Sequence, residues 1–125
     1  MQTQMVEMIF PEQANHYGTL FGGNALALMA KAAFVAASRH AGCSVVMARS
    51  ERVDFPPPIR VGEILDLSAR VIRTGRTSLT VEVQGSAATR PVLSGRFVMV
   101  AVDDAGRPRP FANKIHPKGQ DDDPA

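Results

Sequence analysis

Cysteine occurs once, at Cys43. A single thiol excludes an internal disulfide and favours either a reducing compartment or indifference to redox. The N-terminus, MQTQMVEMIF, has no basic region followed by a long apolar stretch, so it carries no signal-peptide pattern. The longest apolar block, residues 25–37, is broken by Lys31 and is too short to span a bilayer. Together these absences lead us to expect a cytoplasmic protein with no membrane partner. Lysine is scarce, with 3 Lys against 11 Arg, and the formal net charge is only +2. The arginines are scattered rather than striped, so nucleic acid is not expected as a partner, although individual guanidinium groups still suit phosphate. There is no GxSxG elbow and no phosphate-binding P-loop. His40 and Cys43 have a His-x-x-Cys spacing but no second ligand pair, so no metal site is expected. No internal repeat is present.

What remains is 125 residues, 45% hydrophobic and 21% charged, enough for one domain with a real core. Residues 3–10 read as a strand, ended by Pro11. A polar loop over 11–21 follows. A helix then runs from about Gly22 or Gly23 to about Arg39, closed by Gly42 after a basic end, Arg39-His40, that suits the helix dipole. Of the thirteen residues from Ala25 to Ala37 only Lys31 is polar, and alanine dominates. A helix apolar all round is expected to be buried on most sides. Residues 44–55 read as a long strand, interrupted by Pro56-Pro57-Pro58. Residues 63–73 put Leu65, Leu67, Ala69 and Val71 on one face, and 77–84 put Leu79, Val81 and Val83 inward. Residues 92–102 form the last strand. Such alternation marks half-buried strands, and the short connections imply antiparallel pairing. One curved antiparallel sheet around one central helix, an α+β arrangement, is the expectation for residues 1–111. Residues 112–125, rich in proline and charge, read as an extended or disordered tail.

The loop NHYGTLFGGN, residues 15–24, carries the chemistry. The first N–H groups of a helix have no internal partner, and the dipole adds partial positive charge there. Gly22 and Gly23 would leave that N-terminus open to a carbonyl oxygen, as in an oxyanion hole; equally, they would serve a tight turn. Asn15 could orient a carbonyl or water, and His16 could act as acid or base near neutral pH. Each residue type is also common in loops for purely local reasons.

The ordered run PEQANHYGTLFGG, the apolar helix with RHAG, VDFPPPIRVGEILDLSARVIRTGRTSLTVEV and VMVAVDDAGRPRP resembles the acyl-CoA thioesterases of the hotdog fold. The resemblance spans roughly residues 3–111 and is nearest to small bacterial acyl-CoA hydrolases and their tandem-domain animal relatives. It implies an antiparallel sheet wrapped around one long central helix. It also implies an obligate homodimer, extended in many members to a tetramer or hexamer, with active sites at the dimer interface. The implied substrate is acyl-CoA, hydrolysed to the free acid and CoA with no separate cofactor, since CoA is part of the substrate. Gly22 and Gly23 would supply N–H donors to the thioester carbonyl, and Asn15 matches a catalytic asparagine of some members. Arg73, Gly75, Arg76, Thr77 and Ser78 match the region that helps hold CoA.

One position departs from the family pattern. The family helix reads Gly-Gly, five residues, Met, Asp, and that aspartate is the general base or nucleophile. Here Met29 is followed by Ala30, whose methyl group can neither take a proton nor attack a thioester. Lys31 lies about 100° further round the helix and is no simple replacement. Two readings stay open. The first is a working thioesterase whose base is Glu51, Asp54, His16 or water oriented by Asn15. The second is a non-catalytic acyl-CoA-binding protein, or a half-site completed by a partner that carries the aspartate. Dehydratase or isomerase chemistry on acyl-CoA is a third possibility that no residue favours.

Overall fold

The computed structural model describes residues 2–55 and 57–112, together with the backbone of Asp122 and Asp123. Strand β1 (Gln2–Met8) leads through one 3-10 turn (Pro11–Gln13) into helix α1 (Gly22–Ala41). Strands β2 (Val45–Asp54), β3 (Ile64–Gly75), β4 (Ser78–Ala87) and β5 (Arg90–Ala101) follow. The sheet order is β1-β3-β4-β5-β2, antiparallel throughout. A two-residue strand, β6 (Asp122–Asp123), pairs in parallel with Thr74–Gly75. This is the expected arrangement of one helix on one antiparallel sheet, with element ends shifted by a few residues. The rest of the tail expected over 112–125 lies outside the described residues. The last described core contact is Phe111, which meets the ring of His40 edge-on at 6.1 Å.

Helix α1 is built mostly from strong helix formers. Gly42 ends it in the left-handed conformation (φ 69) and donates its N–H to Ser38 O at 2.9 Å. Its buried stripe is Ala25, Leu28, Met29, Ala32, Ala33, Ala36 and Ala37, the 3–4 spacing of one helical face. The alanines let the helix lie close to the sheet. A Cβ on Gly95 of β5 would stand only 3.1 Å from Met29 Cε. The sheet meets this stripe with Leu65, Leu67 and Ala69, with Leu79, Val81 and Val83, and with Phe97 and Met99, all buried. The alternate positions face away from the helix and are mainly polar, with Val98 and Val100 among the exceptions. There Glu82 lies 3.3 Å from Arg70 and 3.9 Å from Arg96.

The helix is not enclosed as its sequence implies. One sheet covers one face, and the other stays open: Leu26 is 39% and Phe34 47% exposed, beside exposed Ala27 and Lys31. β2 is similar. As an edge strand it leaves Val46 and Met47 exposed, and Phe55 just beyond it. Long apolar edges are templates for further pairing. The surplus hydrophobicity of α1 therefore has no use within one chain.

Candidate active site

The segment between β1 and α1 folds into a small ladder of its own. Asn15 N–H donates to Thr19 O at 2.8 Å, and Phe21 N–H to Gln13 O at 3.0 Å. On the other side Leu20 N–H donates to Ile59 O at 2.7 Å, and Val61 N–H to Gly18 O at 3.1 Å. The loop is thus held between its own first half and residues 59–61. Asn24 Nδ2 donates to Gln13 O at 2.9 Å and ties the first turn of α1 to the same ladder.

Asn15 opens a turn closed by Gly18 N–H to Asn15 O at 3.0 Å, with Gly18 at φ +79. Its side-chain Oδ1 accepts three donors: Tyr17 N–H at 2.9 Å, Thr19 N–H at 3.2 Å and the Thr19 hydroxyl at 3.2 Å. Two backbone N–H groups converge on this atom, which assigns it as the oxygen. Its lone pairs are spoken for, and the Nδ2 donor is the group available to a ligand. Asn15 can therefore present N–H to an oxygen, but it is badly placed to accept a proton. Thr19 is the site residue that the sequence reading did not single out. The available signal was the spacing Asn15-x-x-Gly18-Thr19, the pattern of an Asx turn. His16 sits exposed at the tip of this turn, its ring 4.0 Å from that of Tyr17.

At the start of α1, Phe21 occupies the N-cap and no side chain caps the helix. The first intrahelical bond runs from Ala25 N–H to Phe21 O at 3.0 Å. The N–H groups of Gly22, Gly23 and Asn24 precede it. The two glycines differ. A Cβ on Gly22 would meet nothing within 4 Å, whereas one on Gly23 would come within 2.9 Å of a Phe21 ring carbon. Gly23 makes room for Phe21, while Gly22 leaves open space. Beside it lies a cleft of about 190 Å³ lined by Leu20, Gly22, Ala25, Phe55, Ile59 and Leu93. It is apolar at one end of an uncapped helix, which suits a group with a polar carbonyl and a greasy tail. Ala30, two turns further on, is half-buried at the margin of the uncovered helix face.

The remaining expected residues lie elsewhere. Ala101 N–H donates to Thr77 O at 2.7 Å, and Val102 N–H to Ser44 O at 2.9 Å, so the β3–β4 turn stands where α1 ends. A 20-residue helix is about 30 Å long, and that length separates Arg73, Gly75, Arg76, Thr77 and Ser78 from Gly22 of the same chain. Arg73 and Ser78 line a groove of about 440 Å³ with Arg49, Thr80 and Arg96. Arg49 and Arg96 add charge there that the sequence reading did not foresee. Arg76 is exposed, Gly75 is buried, and Thr77 is half-buried.

Within one chain, two of the alternative bases are kept away from the helix start. Glu51 pairs with Arg96 and Asp54 with Ser94 across β2 and β5, on the sheet face away from α1. Glu51 is also bound to Arg49 at 2.8 Å. The sheet stands between these carboxylates and Gly22. A groove of about 620 Å³ lies on that same outer face, among Gln4, Asp66, Ser68, Gln84 and Ser94, and holds none of the expected site residues. Among the described residues no group of three or more His, Cys, Asp or Glu is placed to hold a metal ion.

Comparison with known proteins shows which family and fold the chain is similar to. The model of the thioesterase superfamily matches residues 17–94. An uncharacterized acyl-CoA thioester hydrolase of Zymomonas mobilis is 36% identical over 104 residues, spanning 78% of this chain and 70% of that protein. The acyl-CoA hydrolase of Staphylococcus aureus, solved with butyryl coenzyme A, superposes with a TM-score of 0.85 at 32% identity, covering 90% of this chain and 72% of that one. It has also been solved with alanine in place of an aspartate, and with alanine in place of an asparagine fifteen positions earlier. A hexameric thioesterase of Yersinia pestis superposes with a TM-score of 0.83 at 29% identity, covering 86% of this chain and 93% of that one.

Proposed function

The chain belongs to the thioesterase superfamily, and from that membership we propose that it hydrolyses acyl-CoA thioesters to free coenzyme A and a carboxylic acid. The observation that carries this reading is the uncapped start of α1, with Gly22 open and an apolar cleft beside it. The thioester carbonyl oxygen would receive the N–H groups of Gly22 and Gly23, and the acyl chain would enter the cleft. Asn15 Nδ2 would hold the attacking water or the carbonyl. Donors fixed in place before reaction stabilise the oxyanion without reorganisation. No cofactor is needed, because CoA arrives as part of the substrate.

The site is completed by a second copy. An antiparallel partner joined along β2 would cover Leu26, Phe34, Val46 and Met47. It would bring its own far end, with Arg73, Arg76 and Ser78, towards the first copy's helix start. CoA phosphates would meet these guanidinium groups. Assembly of this kind agrees with the hexameric neighbour, and the homodimer is the smallest unit that serves the purpose. We place this unit in the cytoplasm. No helix among the described residues is long and apolar enough to cross a membrane.

Ala30 favours a second reading, a half-site or acyl-CoA-binding protein. Its separation from Asn15 equals that between the asparagine and aspartate replaced in the S. aureus variants. An aspartate side chain at 30 would project from the margin of the open helix face.

The test is release of free CoA thiol from a panel of acyl-CoAs. Release abolished by Asn15→Ala establishes hydrolysis without the helix aspartate. Absence of release alongside measurable CoA binding selects the second reading. Ala30→Asp then gains about 10²–10⁴-fold in turnover if only a general base is missing; no gain means that the base lies elsewhere.

A further inference from the structure

Arg90, the first residue of β5, forms a two-pronged ion pair with Glu63, 27 residues earlier. Nη1 meets Oε2 at 3.0 Å and Nη2 meets Oε1 at 3.0 Å. Nη2 also donates to Pro58 O at 3.3 Å. Exposed ion pairs are usually worth little, but paired parallel hydrogen bonds fix geometry as well as energy. Glu63 has a second task. Its Oε1 accepts Arg60 N–H at 2.8 Å, and Glu63 N–H donates to Arg60 O at 3.1 Å, which locks the turn over 60–63. One carboxylate therefore joins the β4–β5 hairpin to the turn that follows Ile59.

That turn is the outer rail of the Asn15 loop. Ile59 O accepts Leu20 N–H, and Gly18 O accepts Val61 N–H. Gly18 in turn closes the Asn15 turn, and Thr19 binds Asn15 Oδ1. The hairpin end that carries Arg90 is itself set in an uncommon shape, with Ala88 at φ 50 and Thr89 at φ 65. Non-glycine residues hold such angles only where their surroundings over-determine them. The contacts thus run in an unbroken series from Arg90 through Glu63 and residues 58–61 to Asn15.

We propose that the Arg90–Glu63 pair positions the Asn15 loop, making Arg90 a positioning residue for thioester hydrolysis without contact with the substrate. This rests on the hydrolase reading for its kinetic consequence, and on contacts alone for its structural one.

The experiment uses the full chain with Arg90→Ala and Arg90→Lys. It reads two quantities: amide hydrogen exchange, and kcat and KM for whichever acyl-CoA the protein turns over best. Exchange at Leu20 and Val61 should quicken roughly tenfold or more in Arg90→Ala, while Val81 and Val83 in the core stay unchanged. kcat should fall about tenfold with KM little altered, because a small misplacement affects alignment more than binding. Arg90→Lys should recover part of both and serves if Arg90→Ala does not fold. In an Asn15→Asp background, which lacks the amide donor but keeps a measurable rate, Arg90→Ala should cost almost nothing further in kcat. Unchanged exchange at Leu20 and Val61 overturns the proposal. So does a full Arg90→Ala penalty that persists without the Asn15 amide. If the unaltered protein releases no thiol from any acyl-CoA, the hydrolase reading fails by itself, and exchange alone decides whether the pair holds the loop.

Discussion

Asn15 and Thr19 are joined twice through one atom: Asn15 Oδ1 accepts both the N–H and the hydroxyl of Thr19, each at 3.2 Å. This pairing turns the asparagine round, so that its oxygen shapes the loop and its nitrogen is offered to a ligand. The two ends of the amide can therefore be tested apart.

Asn15→Asp keeps an acceptor for Tyr17 and Thr19 but replaces the Nδ2 donor with a second oxygen. Thermal stability should stay within about 1 kcal/mol of the parent, while thiol release falls on the order of 10²-fold, the usual loss for one donor to an oxyanion. Thermal melts and thiol assays on the same sample check it. Retained activity would assign Asn15 to the loop alone.

Gly22→Ala and Gly23→Ala should part company. Gly22 has open space around it, so alanine leaves folding intact and even gains a few tenths of a kcal/mol in helix propensity. Its methyl group intrudes where the carbonyl would sit, and kcat should drop at least tenfold. Gly23→Ala instead turns aside the exposed Phe21 ring, a free side-chain end, so the melting midpoint should stay near the parent and kcat should fall less than in Gly22→Ala. Circular dichroism with kinetics distinguishes the two patterns.

Met47→Lys places a charge on the apolar edge of β2. Charged edge residues block strand pairing. Light scattering should show a smaller species, and thiol release should fall with it, while the far-ultraviolet spectrum of the single chain persists. An unchanged mass would move the interface away from this edge.

Ala88 and Thr89 form the two-residue turn between β4 and β5, both at positive φ, a geometry that Asn-Gly adopts readily. Replacing them with Asn and Gly together should stabilise the fold by about 1–2 kcal/mol, by relief of backbone strain, seen as a rise of several degrees in the thermal midpoint.

Arg90, first through its hydrogen bonds, and then the Arg60 N–H hold the Glu63 carboxyl below its ordinary value of 4.5. A lowered folded-state value means that its contribution is fully present above 4.5 and fades as pH falls below that through the lowered value. Glu63→Gln should therefore flatten this part of the acid limb of a stability–pH curve and leave the curve near pH 7 with the same slope. Urea melts between pH 3 and pH 7 on the order of every half unit would resolve it.

Much of this molecule was legible in its residues. Alternation at Leu65, Leu67 and Ala69, and at Leu79, Val81 and Val83, identified the inward rows because strand periodicity is local. Gly42 marked the helix end for the same reason. The excess of apolar surface on α1 was legible too, but its meaning was not. Periodicity shows that a face is greasy without showing what covers it, and only the exposed Leu26 and Phe34 revealed that one sheet is insufficient.

By itself the sequence determined the order of elements, the glycine pair at the helix start and the loss of a carboxylate at Ala30, since each depends on residue identity and near neighbours. Tertiary structure alone decided that Glu51 and Asp54 lie behind the sheet and that Asn15 presents its nitrogen. It also decided that Arg73–Ser78 stand a helix length from Gly22, and that Arg90 reaches the Asn15 loop through Glu63. These are relations between segments far apart along the chain. Strand register and the length of a rigid helix fix them, and no local pattern carries that information.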